Sequence, residues 1–168
     1  HCFDANTIKG KLSFETKACD QNFKTLLNSD IKLTGKNCVF SLDEEIISLA
    51  GVMGGMSTAC SLDTKKALVE CAFFQPESII GKTIKYNLAS DAAYKFERGV
   101  DISLQEKVLR RFIKIVQDHT SIKSLKIKTF KSGEVQKKDI PIDVERINKI
   151  LGTKIDKSEY LSYLDKLG

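Results

Sequence analysis

Residues Leu49 to Asp101 read LAGVMGGMSTACSLDTKKALVECAFFQPESIIGKTIKYNLASDAAYKFERGVD. An apolar run from Leu68 to Phe74 in this stretch is interrupted by one acid, Glu70. A charged side chain breaks the pattern of a buried strand, and burying a carboxylate is costly unless it is paired or serves a site. Glu70 is therefore the first candidate for a functional residue.

The residues alone leave two interpretations of Glu70 open. In the structural interpretation, Glu70 forms a buried ion pair, for example with Lys95 or Arg98. In the functional interpretation, the carboxylate lines a pocket and binds a hydroxyl or an amine of a ligand.

A glycine turn stands in front of this run, at Gly51, Gly54 and Gly55. It has neither the Gly-Lys-Ser/Thr ending of a phosphate loop nor the G-x-G-x-x-G spacing of a dinucleotide site. Glycines of this kind let a strand reverse or let the backbone approach a ligand closely. A purely structural turn remains the alternative.

The region before this stretch alternates short apolar segments with turn residues, which favours a mostly antiparallel sheet. The predicted strands are Lys11–Glu15, Ile31–Leu33, Cys38–Leu42 and Ile46–Ala50, with a turn at Thr34–Asn37. A buried strand at Ala67–Phe74 and an edge strand at Lys123–Phe130 are predicted further along the chain.

Helices are predicted at Pro76–Ile84 and, most clearly, at Ile102–His119, where apolar and basic stripes occupy opposite faces. The segment Ser90–Gly99 is expected to turn at its start and to end at its glycine. Together these elements predict an α+β fold, a mostly antiparallel sheet with packed helices. A truncated small helical module follows, with helices at 145–151 and 156–167.

The composition is that of a globular protein: 168 residues, 42% hydrophobic and 29% charged. No apolar run approaches the length of a membrane span, and no partner membrane is expected. The chain has five cysteines, an odd number without a C-x-x-C pair, which is typical of reduced thiols in a cytoplasmic protein. No metal site is expected. A cysteine enzyme that uses Cys71 beside Glu70 is a distant alternative.

The net charge of +5 is concentrated in residues 101–140. Arg110, Arg111 and Lys114 lie on one stripe of the predicted helix 102–119, which makes them candidates for contact with a polyanion such as RNA. A solvated charged face is the alternative.

Three motifs follow one another along the chain: A-G-V-M-G-G at Ala50–Gly55, V-E-C-A-F-F-Q-P-E-S-I at Val69–Ile79, and S-D-A-A-Y-K-F-E-R-G-V-D at Ser90–Asp101. Linked in this order, they resemble the β subunit of bacterial phenylalanine–tRNA ligase. His1–Asp4, H-C-F-D, is similar to the H-A-F-D motif that precedes them in that family. The resemblance covers the whole chain.

The resemblance implies a tRNA-editing domain over residues 1–131, without its first few dozen residues. A linker at 132–139 and the incomplete start of a nucleic-acid-binding-type helical domain at 140–168 follow. The implied activity is hydrolysis of tyrosine wrongly attached to the phenylalanine tRNA, at a site separate from the synthetic site.

The resemblance also implies roles for single residues. Glu70 would accept a hydrogen bond from the tyrosine phenol, and His1 would act as the catalytic residue near the ester and its attacking water. Gly54, Ser90 and Ala92 would line the substrate pocket, although the family often has Thr at the position of Ser90.

Partners and cofactors follow from the same resemblance. The assembled enzyme is an α₂β₂ heterotetramer that joins phenylalanine to tRNA(Phe) with ATP and Mg²⁺, whereas this segment is expected to hold no cofactor. The alternative function is a non-catalytic scaffold and tRNA-contact module of the same synthetase.

Overall fold

A computed structural model describes residues 1–131, 133 and 139–167. Its strands are β1 Cys2–Asp4, β2 Leu12–Lys24, β3 Asp30–Leu42, β4 Glu45–Leu49, β5 Met53–Gly54 and β6 Ala67–Val69. Its helices are α1 Pro76–Ile79, α2 Lys82–Tyr86, α3 Asp91–Phe96, α4 Gln105–His119, α5 Val144–Leu151 and α6 Lys157–Leu167. The predicted α+β fold with antiparallel sheets is confirmed.

The chain divides into two compact units, residues 1–126 and 127–168. The predicted linker 132–139 lies outside the described residues except for Gly133 and Asp139. The assignment of 1–131 and 140–168 to an editing domain and a helical nucleic-acid-binding domain therefore stays a prediction.

The larger sheet has the strand order β2-β3-β4-β5, with every neighbouring pair antiparallel. Strands β2 and β3 form one long hairpin that keeps a single register from Leu12↔Leu42 to Lys24↔Asp30. The predicted turn at Thr34–Asn37 is wrong, because β3 runs straight through it.

Turn-forming residues are tolerated inside β3 because the Asn37 side chain satisfies the local backbone. Its amide donates to the carbonyls of Thr34 at 3.2 Å and Gly35 at 3.1 Å. Gly35 takes a left-handed conformation with φ +65°, which costs a glycine little. Pairing with β2 therefore overrides the local turn preference.

A two-stranded ribbon, β1–β6, pairs Cys2 with Val69 and Phe3 with Leu68. The predicted strand Ala67–Phe74 is thus shorter in the structure and ends at Val69. The ribbon is anchored by Phe3, which is 1% exposed and lies 6.2 Å from the ring of Phe40, centroid to centroid. The inner face of the ribbon therefore packs on the larger sheet.

The core of the first unit gathers apolar side chains of the larger sheet and of the segments that follow it. Its fully buried members include Leu33, Val39, Leu49 and Ile79. Phe74 connects the sheet to α3, since its ring centroid lies 4.9 Å from that of Phe96. This packing fixes α3 against the strands.

The structure changes three of the predicted elements. The helix predicted at Pro76–Ile84 is divided into α1 and α2 by Gly81, whose φ is 76°. The segment Ser90–Gly99 contains a helix, α3, rather than only a turn. The edge strand predicted at Lys123–Phe130 is wrong, because no strand of the described chain pairs with these residues.

Helix α4 confirms the clearest helix prediction, although it begins at Gln105 rather than Ile102. Several of its apolar side chains stay partly exposed, among them Val108 at 53% and Ile115 at 43%. None of the described helices combines the length and the apolar character needed to cross a bilayer.

The second unit contains α5 and α6. Asp143 caps the start of α5 by accepting a hydrogen bond from the Arg146 backbone N–H at 3.0 Å, and Gly152 ends the helix in a left-handed conformation. The side chain of Asn148 bonds both the N–H and the carbonyl of Ile155, which ties the two helices together.

Candidate functional site

His1 and Glu70 occupy opposite positions at one end of the β1–β6 ribbon. The main-chain nitrogen of His1 donates to the Glu70 carbonyl at 2.8 Å, and the Glu70 N–H donates to the His1 carbonyl at 2.8 Å. Residues that exchange both hydrogen bonds lie directly across an antiparallel pair, and their side chains project from the same face. The imidazole and the carboxylate therefore share one face of the ribbon.

That face looks onto the larger sheet at Gly54. A Cβ built on Gly54 would lie 2.5 Å from Nε2 of His1 and 2.7 Å from Cδ1 of Leu26. No side chain fits in that space, so a glycine is needed wherever this imidazole occupies it. His1 also makes an edge contact with Phe3, with ring centroids 4.5 Å apart.

Strand register explains why the ribbon meets Gly54. Phe40 pairs with Ser48, and Ser48 pairs with Gly54, so these three positions form a row on one face of the sheet. Phe3 packs on the Phe40 end of this row, while His1 lies against its glycine end. The aromatic anchor thus places the imidazole.

Leu26 is a site neighbour that sequence reasoning missed. It lies in the loop between β2 and β3, and its N–H donates to the carbonyl of Gly54 at 2.9 Å. The isolated bridge between Thr25 and Gly55 holds the same loop against the glycine turn. A single apolar residue in a hairpin loop carries no sequence signal, since only the long-range pairing brings it to the site.

Glu70 is half-buried and has no basic side-chain partner in the part of the chain that the structure describes. Burial raises the pKa of its carboxyl, while the Ala72 N–H, which donates to it, lowers that pKa to a smaller extent. The structural interpretation, an ion pair with Lys95 or Arg98, is absent from the described residues, and Arg98 pairs with Glu97 at 2.6 Å.

Ser90 connects α3 to the glycine turn. Its hydroxyl donates to the Val52 carbonyl at 2.5 Å and accepts the Ala93 N–H at 3.1 Å, which makes Ser90 the N-cap of α3. Ala92 lies in the first turn of this helix and is exposed. The structure therefore joins Ser90 to the segment that carries Gly54, two residues after Val52.

A family model described as the B3/4 domain matches residues 1–121. The chain belongs to the B3/4 domain family.

Curated relatives of this B3/4 domain chain are phenylalanine–tRNA ligase beta subunits from many bacteria. That of Burkholderia lata is 33% identical over 168 residues, which cover 100% of this chain and 21% of the relative. That of Vibrio cholerae is 30% identical over 170 residues, 100% of this chain and 21% of the relative. That of Francisella tularensis is 30% identical over 158 residues, 93% of this chain and 20% of the relative.

The resemblance predicted from the sequence motifs is thus confirmed. The chain spans about one fifth of the length of these relatives.

In the B3/4 domain, Cys71 forms a hydrogen bond with the backbone of α4. Its thiol donates to the Gln105 carbonyl at 3.4 Å, at the start of α4. Burial raises the pKa of the Cys71 thiol, and the adjacent Glu70 raises it further. A nucleophilic cysteine needs the opposite overall shift, so the arrangement does not favour a Cys71 enzyme.

The basic residues predicted on α4 are exposed, and two of them pair with acids one turn away. Arg110 lies 2.7 Å from Glu106, and Lys114 lies 2.7 Å from Asp118. Arg111 has no carboxylate within 4.0 Å among the residues described. The basic stripe is therefore partly neutralised by its own helix.

The B3/4 domain has two surface clefts whose lining residues do not include His1, Glu70 or Gly54. One of about 240 Å³ is lined by Thr16, Lys36, Cys38, Glu77, Ser78 and Lys82. The other, of about 100 Å³, is lined mainly by residues 21–24, with Glu45, Ile46, Gly55 and Ser57. Within residues 1–131, 133 and 139–167, no group of three or more His, Cys, Asp or Glu side chains could hold a metal ion.

The structure thus brings together His1, Glu70 and Gly54, and it connects Ser90 to them through Val52. The predicted roles of these residues, and those of Ala92 and the α4 stripe, stay predictions.

Proposed function

We propose that this chain is the editing part of a phenylalanine–tRNA ligase β subunit and that it hydrolyses the ester of tyrosine wrongly attached to tRNA(Phe). The observation that supports the proposal most is the pairing of His1 and Glu70 on one ribbon face, against Gly54. The imidazole of His1 and an acid without a basic side-chain partner in the described chain stand at the same place, and the imidazole occupies the space that a side chain at Gly54 would fill.

Selectivity for tyrosine would come from Glu70. Tyrosine differs from phenylalanine by one para hydroxyl, and a desolvated carboxylate gains a hydrogen bond from that hydroxyl. With phenylalanine bound, the same carboxylate loses water and gains no partner. A site built in this way can discriminate by about 10⁴-fold. The burial that raises the pKa of Glu70 is the desolvation on which this mechanism depends.

Hydrolysis would use His1. A water attacks the ester carbonyl carbon, the bond from that carbon to the ribose oxygen breaks, and tyrosine and tRNA leave separately. The imidazole of His1 can orient the water and take its proton, which then passes to the ribose oxygen. The contacts with Phe3 and Gly54 limit the positions that the ring can occupy.

Gly54, Ser90 and Ala92 would form the walls around the aminoacyl group. A side chain at Gly54 would enter the space of the imidazole. Ala92, exposed in the first turn of α3, would need to stay small for the aminoacyl group to enter.

The activity of the whole protein is proposed from its relatives. The chain would work in the cytoplasm as part of an α₂β₂ synthetase that joins phenylalanine to tRNA(Phe), with the α subunit as its partner. The resemblance to these relatives implies that ATP and Mg²⁺ would bind in other parts of the assembled enzyme.

A second role, tRNA contact by a scaffold surface, is favoured by one observation. Arg111 is exposed on α4 and has no carboxylate partner in the described chain, so its charge is available to a phosphate.

The proposal is tested by Glu70→Ala in the full-length enzyme, with deacylation of Tyr-tRNA(Phe) and Phe-tRNA(Phe) as the measurements. We expect the rate for the tyrosyl ester to fall and the preference over the phenylalanyl ester to collapse. Glu44→Ala, which removes an exposed acid from the β3–β4 turn, is the control. Unchanged hydrolysis of both esters by Glu70→Ala would refute the proposal.

A further inference from the structure

The carbonyl of Val52, a buried residue outside the strand ladders, needs a hydrogen-bond donor, and Ser90 provides it. Val52 is 5% exposed and lies between β4 and β5, outside the strand ladders. Its own N–H donates to Leu49 at 3.0 Å, which closes the glycine turn. For its carbonyl, the Ser90 hydroxyl at 2.5 Å is the donor found in the described chain.

The Ser90 hydroxyl has little capacity left for a substrate. A serine hydroxyl has one proton, and that proton is donated to Val52. One of its lone pairs accepts the Ala93 N–H at 3.1 Å, which caps α3. A ligand could therefore interact with this oxygen only by donating a hydrogen bond to its remaining lone pair.

The two bonds join the two walls of the proposed pocket. Val52 leads directly into β5, which carries Gly54, while Ala93 belongs to the first turn of α3, beside Ala92. The body of α3 is held by packing, since Ala93 is fully buried and Phe96 contacts Phe74. The hydroxyl fixes the start of the helix to the turn.

We infer that Ser90 is a positioning residue of the pocket wall, whose hydroxyl holds the Gly54 segment and the Ala92 turn at a set distance instead of forming a hydrogen bond with the substrate. A threonine keeps the same donor and acceptor. The catalytic consequence rests on the proposed function, whereas the link itself belongs to the protein without substrate.

The test uses the full-length protein with Ser90→Ala, Ser90→Thr and, as a control that removes a hydroxyl beside another helix start, Ser103→Ala. Ser103 bonds Asp101 at 2.7 Å, away from the glycine turn. Without substrate, Ser90→Ala should raise amide hydrogen exchange at residues 52–55 and 91–93 by about tenfold, because a buried carbonyl loses its donor. Ser90→Thr and Ser103→Ala should leave exchange at these residues unchanged.

Deacylation of Tyr-tRNA(Phe) gives the second measurement. Ser90→Ala should lower kcat by about 10- to 100-fold with little change in KM, since displaced walls misplace a bound ester, and Ser90→Thr should restore it. Unchanged exchange together with a raised KM would overturn the inference and make the hydroxyl a substrate contact. If Ser90→Ala does not fold, Ser90→Cys, a weaker donor, should show a smaller rise in exchange, and no rise would overturn the inference. If the wild-type enzyme does not hydrolyse the ester, the proposed function fails, and exchange still decides the link.

Discussion

The imidazole of His1 occupies the space that a side chain at position 54 would fill: a Cβ on Gly54 would lie 2.5 Å from Nε2. The two residues are 53 positions apart in the sequence, and the β1–β6 ribbon is what brings them together. The candidate site therefore depends on a missing side chain as much as on those present.

Gly54→Ala tests this relationship. The methyl group should displace the imidazole or the Leu26 side chain, and we expect ester hydrolysis to fall by at least about tenfold because catalytic geometry is sensitive to small displacements. Steady-state deacylation and the Tm should be compared with those of Gly133→Ala, where an added Cβ meets nothing within 4 Å. Equal activities of the two variants would show that the contact has no catalytic importance.

Glu70→Gln tests the burial of the acid through stability. Burial raises the pKa of Glu70 in the folded chain, so the folded state binds this proton more tightly than the unfolded state does. The carboxyl therefore destabilises the fold at neutral pH, and this penalty disappears as the pH falls through the raised pKa towards the ordinary value.

We expect Glu70→Gln to be more stable than wild type at neutral pH, with a difference that shrinks in acid. Urea unfolding of this chain across that pH range is the measurement, with the exposed Glu44→Gln as the charge control. A difference that grows in acid would contradict the assignment of Glu70 as a desolvated, unpaired acid.

Cys71→Ala separates the editing proposal from a cysteine enzyme. The thiol donates to the Gln105 carbonyl, and burial raises its pKa, so we expect deacylation to stay within about twofold of wild type. Treatment with a thiol-alkylating reagent gives an independent measurement. Loss of hydrolysis in Cys71→Ala, with the fold preserved by circular dichroism, would support the cysteine alternative instead.

The basic stripe of α4 can be tested by salt titration of tRNA binding. If it contacts phosphates, substitution of Arg110, Arg111 and Lys114 by alanine should weaken binding and flatten the dependence of log K on log salt, by up to about 0.9 per lost duplex contact. Replacing Lys9, Lys65 and Lys66, which are exposed elsewhere, is the matched control.

Removing the acidic partners of the basic stripe should have the opposite effect on tRNA binding. Glu106→Gln and Asp118→Asn remove the acids that pair with Arg110 and Lys114, so binding should strengthen and the slope should steepen. If neither set of variants alters the slope, the stripe is solvated surface.

Tyr86→Phe tests the network that stabilises the irregular part of β3. The Tyr86 hydroxyl donates to Oδ1 of Asn37, which is 1% exposed, at 2.9 Å. Its loss should cost about 1–3 kcal/mol of unfolding free energy, because a buried acceptor is left unpaired. Tyr94→Phe, at a ring that is 59% exposed, should change the free energy of unfolding by less than about 0.5 kcal/mol.

Local patterns predicted the elements whose stability is local. The stripe of α4 and the strands on either side of the β3–β4 turn needed no distant information. The turn predicted at Thr34–Asn37 failed because its residues pair across the hairpin with β2. The strand predicted at Lys123–Phe130 has suitable alternation, but alternation cannot supply a neighbouring strand.

For the candidate site too, the sequence predicted local features but not the contacts between distant segments. Glu70 stood out because one acid in an apolar run is visible in the sequence itself. The neighbours of His1 and the engagement of Ser90 with Val52 depend on chain segments tens of residues apart, and spacing alone contains no such information. The family resemblance implied that His1, Glu70, Gly54, Ser90 and Ala92 belong to one site, but it did not indicate which of their atoms are in contact.

The strands of the β1–β6 ribbon are much farther apart in the sequence than those of the β2–β3 hairpin, and this separation affects the order in which they can pair. The β2–β3 hairpin closes over a five-residue loop, a local step, whereas pairing of His1 with Glu70 must close a segment of 69 positions. A nascent chain released before residue 70 could complete the hairpin without ever having the proposed centre. Proofreading capacity would thus be acquired late in folding, and its appearance would report that the ribbon has closed.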